Sequence, residues 1–195
     1  MSFEAIFQVT QALQEKLRQA LDDAGDPGKV FIGPLDDPDA KDAALILFLY
    51  RIMPNASLRN REHRVPSDNP PPPVLIFTNS LPLDLHYLVT VGTRAGSSEE
   101  PLLKTLGLAM QALNAEPDLA GAKVGHETVH ISLEPLSTEE MSRVWTLFPT
   151  ANYRTSIGYM ATPVWVDPKE PLSAAARVLE DNLRGGQKAR ELENV

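Results

Sequence analysis

The chain has 195 residues, 43% of them apolar and 23% charged, with a net charge of −8. Those proportions suit one soluble globular domain, able to bury roughly 70% of the surface its unfolded form exposes. Twenty-six acidic side chains against eighteen basic ones exclude a general nucleic-acid binder, and the lack of cysteine excludes a disulfide scaffold, a Cys-ligated metal centre and a thiol nucleophile.

In chain order, residues 3–24 carry Ile6, Val9, Leu13, Leu17 and Leu21 at helical spacing, and Gly25 with the Asp26-Pro27-Gly28 turn ends that helix. A short strand is expected at 29–33, an acidic loop at 36–42 and a buried strand at 44–53. Residues 54–73 read as irregular, closing on the stiff run Pro70-Pro71-Pro72-Pro73, and 74–77 as a short apolar segment. Leu83, Leu85, Tyr87, Val89 and Val91 alternate with Asp84, His86 and Thr90, the pattern of a strand. After a loop at 92–98, with Ser97 or Ser98 as cap, a helix carries Leu102, Leu103, Leu106, Met110 and Leu113, ended by Pro117.

Val129, Ile131 and Leu133 alternate as a strand. Ser137 followed by Glu140 is a capping-box sequence opening a helix with Met141, Val144, Trp145 and Phe148 inward. A long strand is expected over 153–166, with Tyr153, Thr155, Ile157 and Tyr159 on one face. A helix is expected over 173–184, before Gly185-Gly186 releases a tail. The expected fold is therefore α/β of the α+β type: one domain, a mixed β-sheet flanked by helices over 1–166, then an arm or tail over 167–195. The first 24 residues are too polar for a signal peptide, and the longest apolar run, 43–50, is far short of a membrane span; synthesis in a cytoplasm is expected.

Three motifs suggest chemistry. His126-Glu127-Thr128-Val129-His130 matches H-E-x-x-H, which would make the chain a zinc hydrolase. That chemistry needs a helix, where residues four apart sit side by side to clamp the metal. Here Gly125, the β-branched Thr128, Val129 and Ile131, and Pro135 favour a strand, in which the histidines stand about 13 Å apart. The Gly92–Ser98 loop joins a strand to a helix, where anions bind, but lacks both nucleotide fingerprints. The aspartates at 36–42 lack the glycine and glutamate of a calcium loop. A fourth feature is a group of arginines, Arg51, Arg59, Arg61 and Arg64, opposed by Glu62, which suits equally a phosphate site or a candidate interface with an acidic protein partner.

Several segments together resemble a known family: Leu47-Phe48-Leu49-Tyr50-Arg51 with Asn55 and Leu58-Arg59-Asn60; Pro82-Leu83-Asp84-Leu85-His86-Tyr87-Leu88-Val89-Thr90; Leu103, Leu106-Gly107, Met110 and Leu113; and Pro117-Asp118-Leu119. The series continues through Ile131-Ser132-Leu133-Glu134-Pro135-Leu136-Ser137-Thr138-Glu139-Glu140, Arg143-Val144-Trp145, Tyr153-Arg154-Thr155-Ser156, Tyr159 and Pro163-Val164. It resembles the cap, or tail-terminator, proteins of phage-tail-like contractile injection systems, related to antifeeding prophages, from residue 3 to about 166. The resemblance implies a structural protein with no catalytic or metal site and no cofactor. It implies a ring, six-fold in the family, on the distal end of the inner tube and sheath, which ends polymerisation and anchors the last sheath layer. The implied partners are further copies of the chain, the inner tube protein and the sheath protein, with neither nucleic acid nor membrane. The arginine surface would then face tube or sheath, with Arg59 as its leading residue. The 167–195 segment would be an arm reaching a neighbour or an idle tail.

Overall fold

In the computed structural model, which describes residues 3–66, 74–92, 99–171 and 173–175, the first helix, α1, forms at Ala5–Asp23. Its apolar face drives it inward. Val9, Leu13, Leu17 and Leu21 are essentially inaccessible to solvent, and each such side chain contributes about 1.5–3 kcal/mol by leaving water. The stripe packs on one face of a six-stranded sheet made of β1 (Lys29–Ile32), β2 (Ala43–Pro54), β5 (Leu81–Val91), β6 (Asp118–Ala120), β7 (Thr128–Glu134) and β8 (Ser156–Val166). The spatial order is β1-β2-β5-β8-β7-β6, with β1 parallel to β2 and every other pair antiparallel.

The second helix, α2 (Glu99–Ala115), lies beside α1 and adds Leu106, Ala109 and Leu113 to the same core. The third, α3 (Thr138–Trp145), covers the opposite face, where Met141, Val144, Trp145 and Phe148 enclose Leu88. The central strand β5 is therefore buried on both faces. His86 and Thr90, the polar half of its alternation, lie inside together with Tyr87 and Val89. Each is satisfied there: Thr90 Oγ1 donates to the Thr155 carbonyl at 3.1 Å, and His86 meets Glu134. On the other face the Tyr87 hydroxyl lies 2.8 Å from Thr10 Oγ1, which in turn donates to the Ile6 carbonyl. This chain of hydrogen bonds lets a large polar ring occupy the core without a desolvation penalty.

A second sheet of three strands stands apart from the first: β3 (His63–Pro66), β4 (Val74–Phe77) and β9 (Ser173–Ala175), in the order β3-β4-β9. Two expectations are corrected here. The stretch read as irregular contains β3, whose His63 and Val65 are buried while Arg64 and Pro66 face out; four residues with a terminal proline are too short a signal against the charge around them. The expected helix at 173–184 begins instead as β9, paired antiparallel with β4 through Ser173 and Ile76, because the open edge of β4 offers main-chain partners that local helix propensity does not outweigh. Residues 176–184 lie outside the described residues, as do the proline run at 70–73 and the loop at 93–98 with its serine caps.

A third correction concerns β8. It starts at Ser156, so Tyr153 is not on the strand face; it stands 65% exposed against Trp145, ring centroids 5.2 Å apart. Gly92, at the start of the 92–98 connection, has a packing role. Its amide donates to the Ala44 carbonyl at 2.9 Å, and any Cβ there would collide with the Ala43 carbonyl oxygen. The capping box at Ser137 forms as read: its hydroxyl accepts from the Glu140 amide at 3.2 Å, and Glu140 accepts from the Ser137 amide at 2.9 Å. The Ser137 amide, together with the Ser137 hydroxyl donating to the same carboxylate at 2.7 Å, holds the Glu140 carboxyl below the usual carboxylate range.

Candidate functional site

The H-E-x-x-H motif comes apart in the fold. After a short 3-10 turn at Ala122–Val124, Gly125 and His126 both adopt left-handed backbone, with φ of 68° and 64°. The sequence reading put both imidazoles on one strand; His126 instead occupies the turn before β7, and His130 projects from the strand itself, its Nδ1 2.7 Å from Asp118 Oδ1. Glu127, the would-be general base, pairs with His63 Nε2 at 2.8 Å. Among the described residues no group of three His, Asp or Glu side chains is arranged to hold a metal ion, so the motif does not fit zinc and the hydrolase reading has no structural support.

Glu127 belongs to a buried charge cluster that local motifs did not reveal. His63 on β3 has its Nδ1 2.7 Å from Asp167 Oδ1, just past the end of β8, and its ring stacks on Trp165 with centroids 4.4 Å apart and planes 9° from parallel. Its Nε2 contact with Glu127 lies off the ring's N–H direction, so it acts as a charge contact and not as an aligned hydrogen bond. Burial opposes a charge on His63, but the Asp167 hydrogen bond and the two carboxylate charges outweigh it and raise its pKa to about 9. Burial likewise opposes the Asp167 charge, and hydrogen bonds, that of His63 foremost, together with the His63 charge outweigh it and hold that carboxyl below its usual range. The cluster ties the three-stranded sheet to the six-stranded one.

On the α3 side, Glu134 accepts from the Tyr50 hydroxyl at 2.9 Å and contacts His86 Nδ1 at 2.8 Å. Burial, then the Glu134 bond, pushes the Tyr50 hydroxyl well above the usual tyrosine range, so it serves as a hydrogen-bond donor.

The four arginines separate into two groups. Arg51 is exposed near the end of β2, opposite His86, where the register with β5 shifts. Arg59 and Arg61 are exposed in the turn that follows β2. Arg64 stands on β3, its guanidinium 3.0 Å from Glu62. The turn is held by a network that sequence reading missed. The Asn55 amide donates to the Pro82 carbonyl at 2.9 Å, and Asn55 Oδ1 accepts from the Ser57 and Leu58 amides, both at 3.1 Å. Asn55 Nδ2 donates to Asp84 Oδ1 at 2.9 Å, and the Thr162 hydroxyl donates to the same oxygen. Asp84 sits where the β5–β8 register shifts. An asparagine directly after a strand-ending proline is the available signal, because its side chain closes turns by accepting from amides two and three residues on.

This fold has relatives among solved structures. The chain matches a cryo-EM structure of an extracellular contractile injection system, its PVC sheath/tube terminator in the extended state, with a TM-score of 0.57 and 19% identity over 96% of this chain and 65% of that one. It also matches the tube-terminating cap of the anti-feeding prophage, with a TM-score of 0.54 and 19% identity over 90% of this chain and 60% of that one. The chain thus spans less than two thirds of the length of either structure. No curated protein matches it. The model of the Pvc16 N-terminal domain matches residues 8–180, and the chain belongs to that family.

Proposed function

We propose that this chain is a cap that ends the inner tube and sheath of a contractile injection particle, a structural role and not a catalytic one. The observation that carries this reading is the fold held in common with two terminators over 96% and 90% of the chain. The proposed form is a homo-oligomeric ring, a hexamer, with residues 1–166 as the ring domain and 167–195 as an arm. Its partners are the inner tube and sheath proteins. It is a component of a particle that acts outside the cell that makes it, assembled in the cytoplasm without nucleic acid or membrane. Among the described residues no helix is long and apolar enough to cross a membrane. Arg51, Arg59, Arg61 and Arg64 are the proposed interface charges.

Deleting the chain from a producing strain and measuring particles by electron microscopy tests the reading. Tubes and sheaths of undefined length are expected, restored to one length by the wild-type chain. Particles of unchanged length and sheath order without the chain would refute it.

A further inference from the structure

The exposed end of β2 has the make-up of a contact surface. Arg51, Ile52, Met53 and Pro54 are all exposed, although they sit in a strand paired with β5. Ile52 is 45% exposed, Met53 39%, and Leu81, at the start of the neighbouring β5, 45%. β1 pairs with β2 only as far as Ile32 and Leu47, so among the described residues no strand pairs with the edge of this end that faces away from β5. Exposed cations flank these residues, Arg51 on the strand and Arg59 and Arg61 in the turn that follows; among the described residues none of the three makes a salt bridge, although Arg51 acts at longer range on Glu140. The Asn55–Asp84–Thr162 network fixes the turn that carries Arg59 and Arg61, so these cations are presented without the entropy cost of ordering a loose loop. An exposed apolar strand end flanked by cations in a pre-ordered turn calls for a partner with apolar and acidic groups.

The chain carries such a surface at the opposite end of the same strand. β2 is 12 residues long, so its two ends stand about 37 Å apart at the ordinary rise of a strand. Before it runs the loop 36–42, with four aspartates against Lys41; after it comes the segment 51–64, with four arginines against Glu62. The aspartate end borders a cavity of about 590 Å³ whose walls include Leu35, Ile46 and Trp145, with Asp36, Asp37 and Asp42 and also Lys41 along it. Arg154 also lines it, with its guanidinium turned to the Val91 carbonyl at 3.2 Å. The two segments that flank β2 thus carry net charges of opposite sign, each beside apolar side chains.

We infer that the arginine end of β2 in one copy docks on the aspartate end of β2 in the next copy, head to tail. Two different patches meeting in this way form a heterologous contact, which closes into a ring when the rotation per step allows. The inference rests on the proposed ring-forming cap and changes its detail: the arginines face a neighbouring copy instead of tube or sheath.

The absence of cysteine provides a direct test. Arg59→Cys and Asp36→Cys are made singly and together, and each is oxidised as free protein and in reconstituted particles. Mixing the two single variants is expected to give a disulfide-linked dimer at least tenfold above either alone and above a control pair of Lys104→Cys with Asp36→Cys. The double variant is expected to give a ladder ending in one closed species. Adding Arg61→Glu to the pair lowers the yield severalfold, as does raising salt. A yield no greater than the control pair's, both free and in particles, overturns the inference. So does an Arg61→Glu variant that loses tube or sheath capture while the cross-link stands. A chain that cross-links as expected but captures neither tube nor sheath sinks the cap reading and leaves the contact standing.

Discussion

Two histidines in this molecule meet an aspartate at the same distance and in unlike surroundings. His63 Nδ1 lies 2.7 Å from Asp167 and His130 Nδ1 lies 2.7 Å from Asp118. The side chains of the first pair are 5% and 0% exposed; those of the second are 54% and 58% exposed. Separation therefore says little about what either pair does. Water screens the exposed pair, whereas the buried one carries a second carboxylate, a stacked indole and the attachment of a whole sheet. The lesson extends to the H-E-x-x-H motif, whose residues end up on opposite sides of this contrast: Glu127 in the buried cluster, His130 on the surface.

Removing Asp167 should widen the contrast most. In an Asp167→Ala variant the imidazolium stays buried with Glu127 alone, and breaking such a pair costs about 3–5 kcal/mol. Denaturant unfolding is expected to show that loss, with faster amide exchange in β3 and β4. For Asp118→Ala the expected loss is about 0.2–1 kcal/mol. Equal losses in the two variants would contradict the role given to burial.

Solution pH provides the next test. The pKa of His63 is raised from 6.5 unfolded to about 9 folded, so the folded state binds more protons and stability must fall as pH rises. Its contribution is fully present below about 6.5 and disappears by about 9. The Asp167 carboxyl is shifted the other way, below its ordinary 3.8; its contribution holds above that value and is lost as pH falls through the folded pKa. The clamp is therefore strongest between about 4 and 6.5. A His63→Gln variant should be less stable throughout that window and lose less stability than wild type between pH 6.5 and 9. Parallel wild-type and variant curves over that interval would show that His63 does not titrate there.

The same contrast explains what was legible in the sequence. α1, α2, α3 and the strands β1, β2, β5 and β7 follow from period and punctuation, whereas β4 was legible only as a short apolar segment. The capping box was legible as well, since both partners lie within one turn. The three-residue β6 and β9 and the four-residue β3 are fixed by the edges they pair with, and no local pattern marks them. The charge cluster was illegible because Asp167 is 104 residues from His63. The arginines were visible as a group, but their division between the β2 end and β3, and the Asn55 network beneath them, needed the fold.

A smaller effect sharpens the comparison from the exposed side. The Ser137 capping box is exposed, like the His130 pair, yet it satisfies backbone amides at the helix start, which an exposed ion pair does not do. Ser137→Ala should cost about 1 kcal/mol by thermal or chemical unfolding. It should also loosen the α3 side around Trp145, visible as a change in tryptophan fluorescence. A Ser137→Asp variant, which keeps an acceptor at the cap, should recover most of the loss.

The smallest effect is expected at His130. Its ring is half in water, its partner Asp118 is equally exposed, and β7 holds its register through Ile131 and Val129, both buried. His130→Ala should therefore change stability by less than about 1 kcal/mol and leave any capture of tube or sheath intact. The measurement bears on both readings of the motif. A loss of 2 kcal/mol or more would mean that an exposed imidazole–carboxylate pair contributes as a buried one does, removing the distinction between the two histidines. A null result, beside a large loss at Asp167, assigns the weight of the motif to Glu127 and its contact with His63.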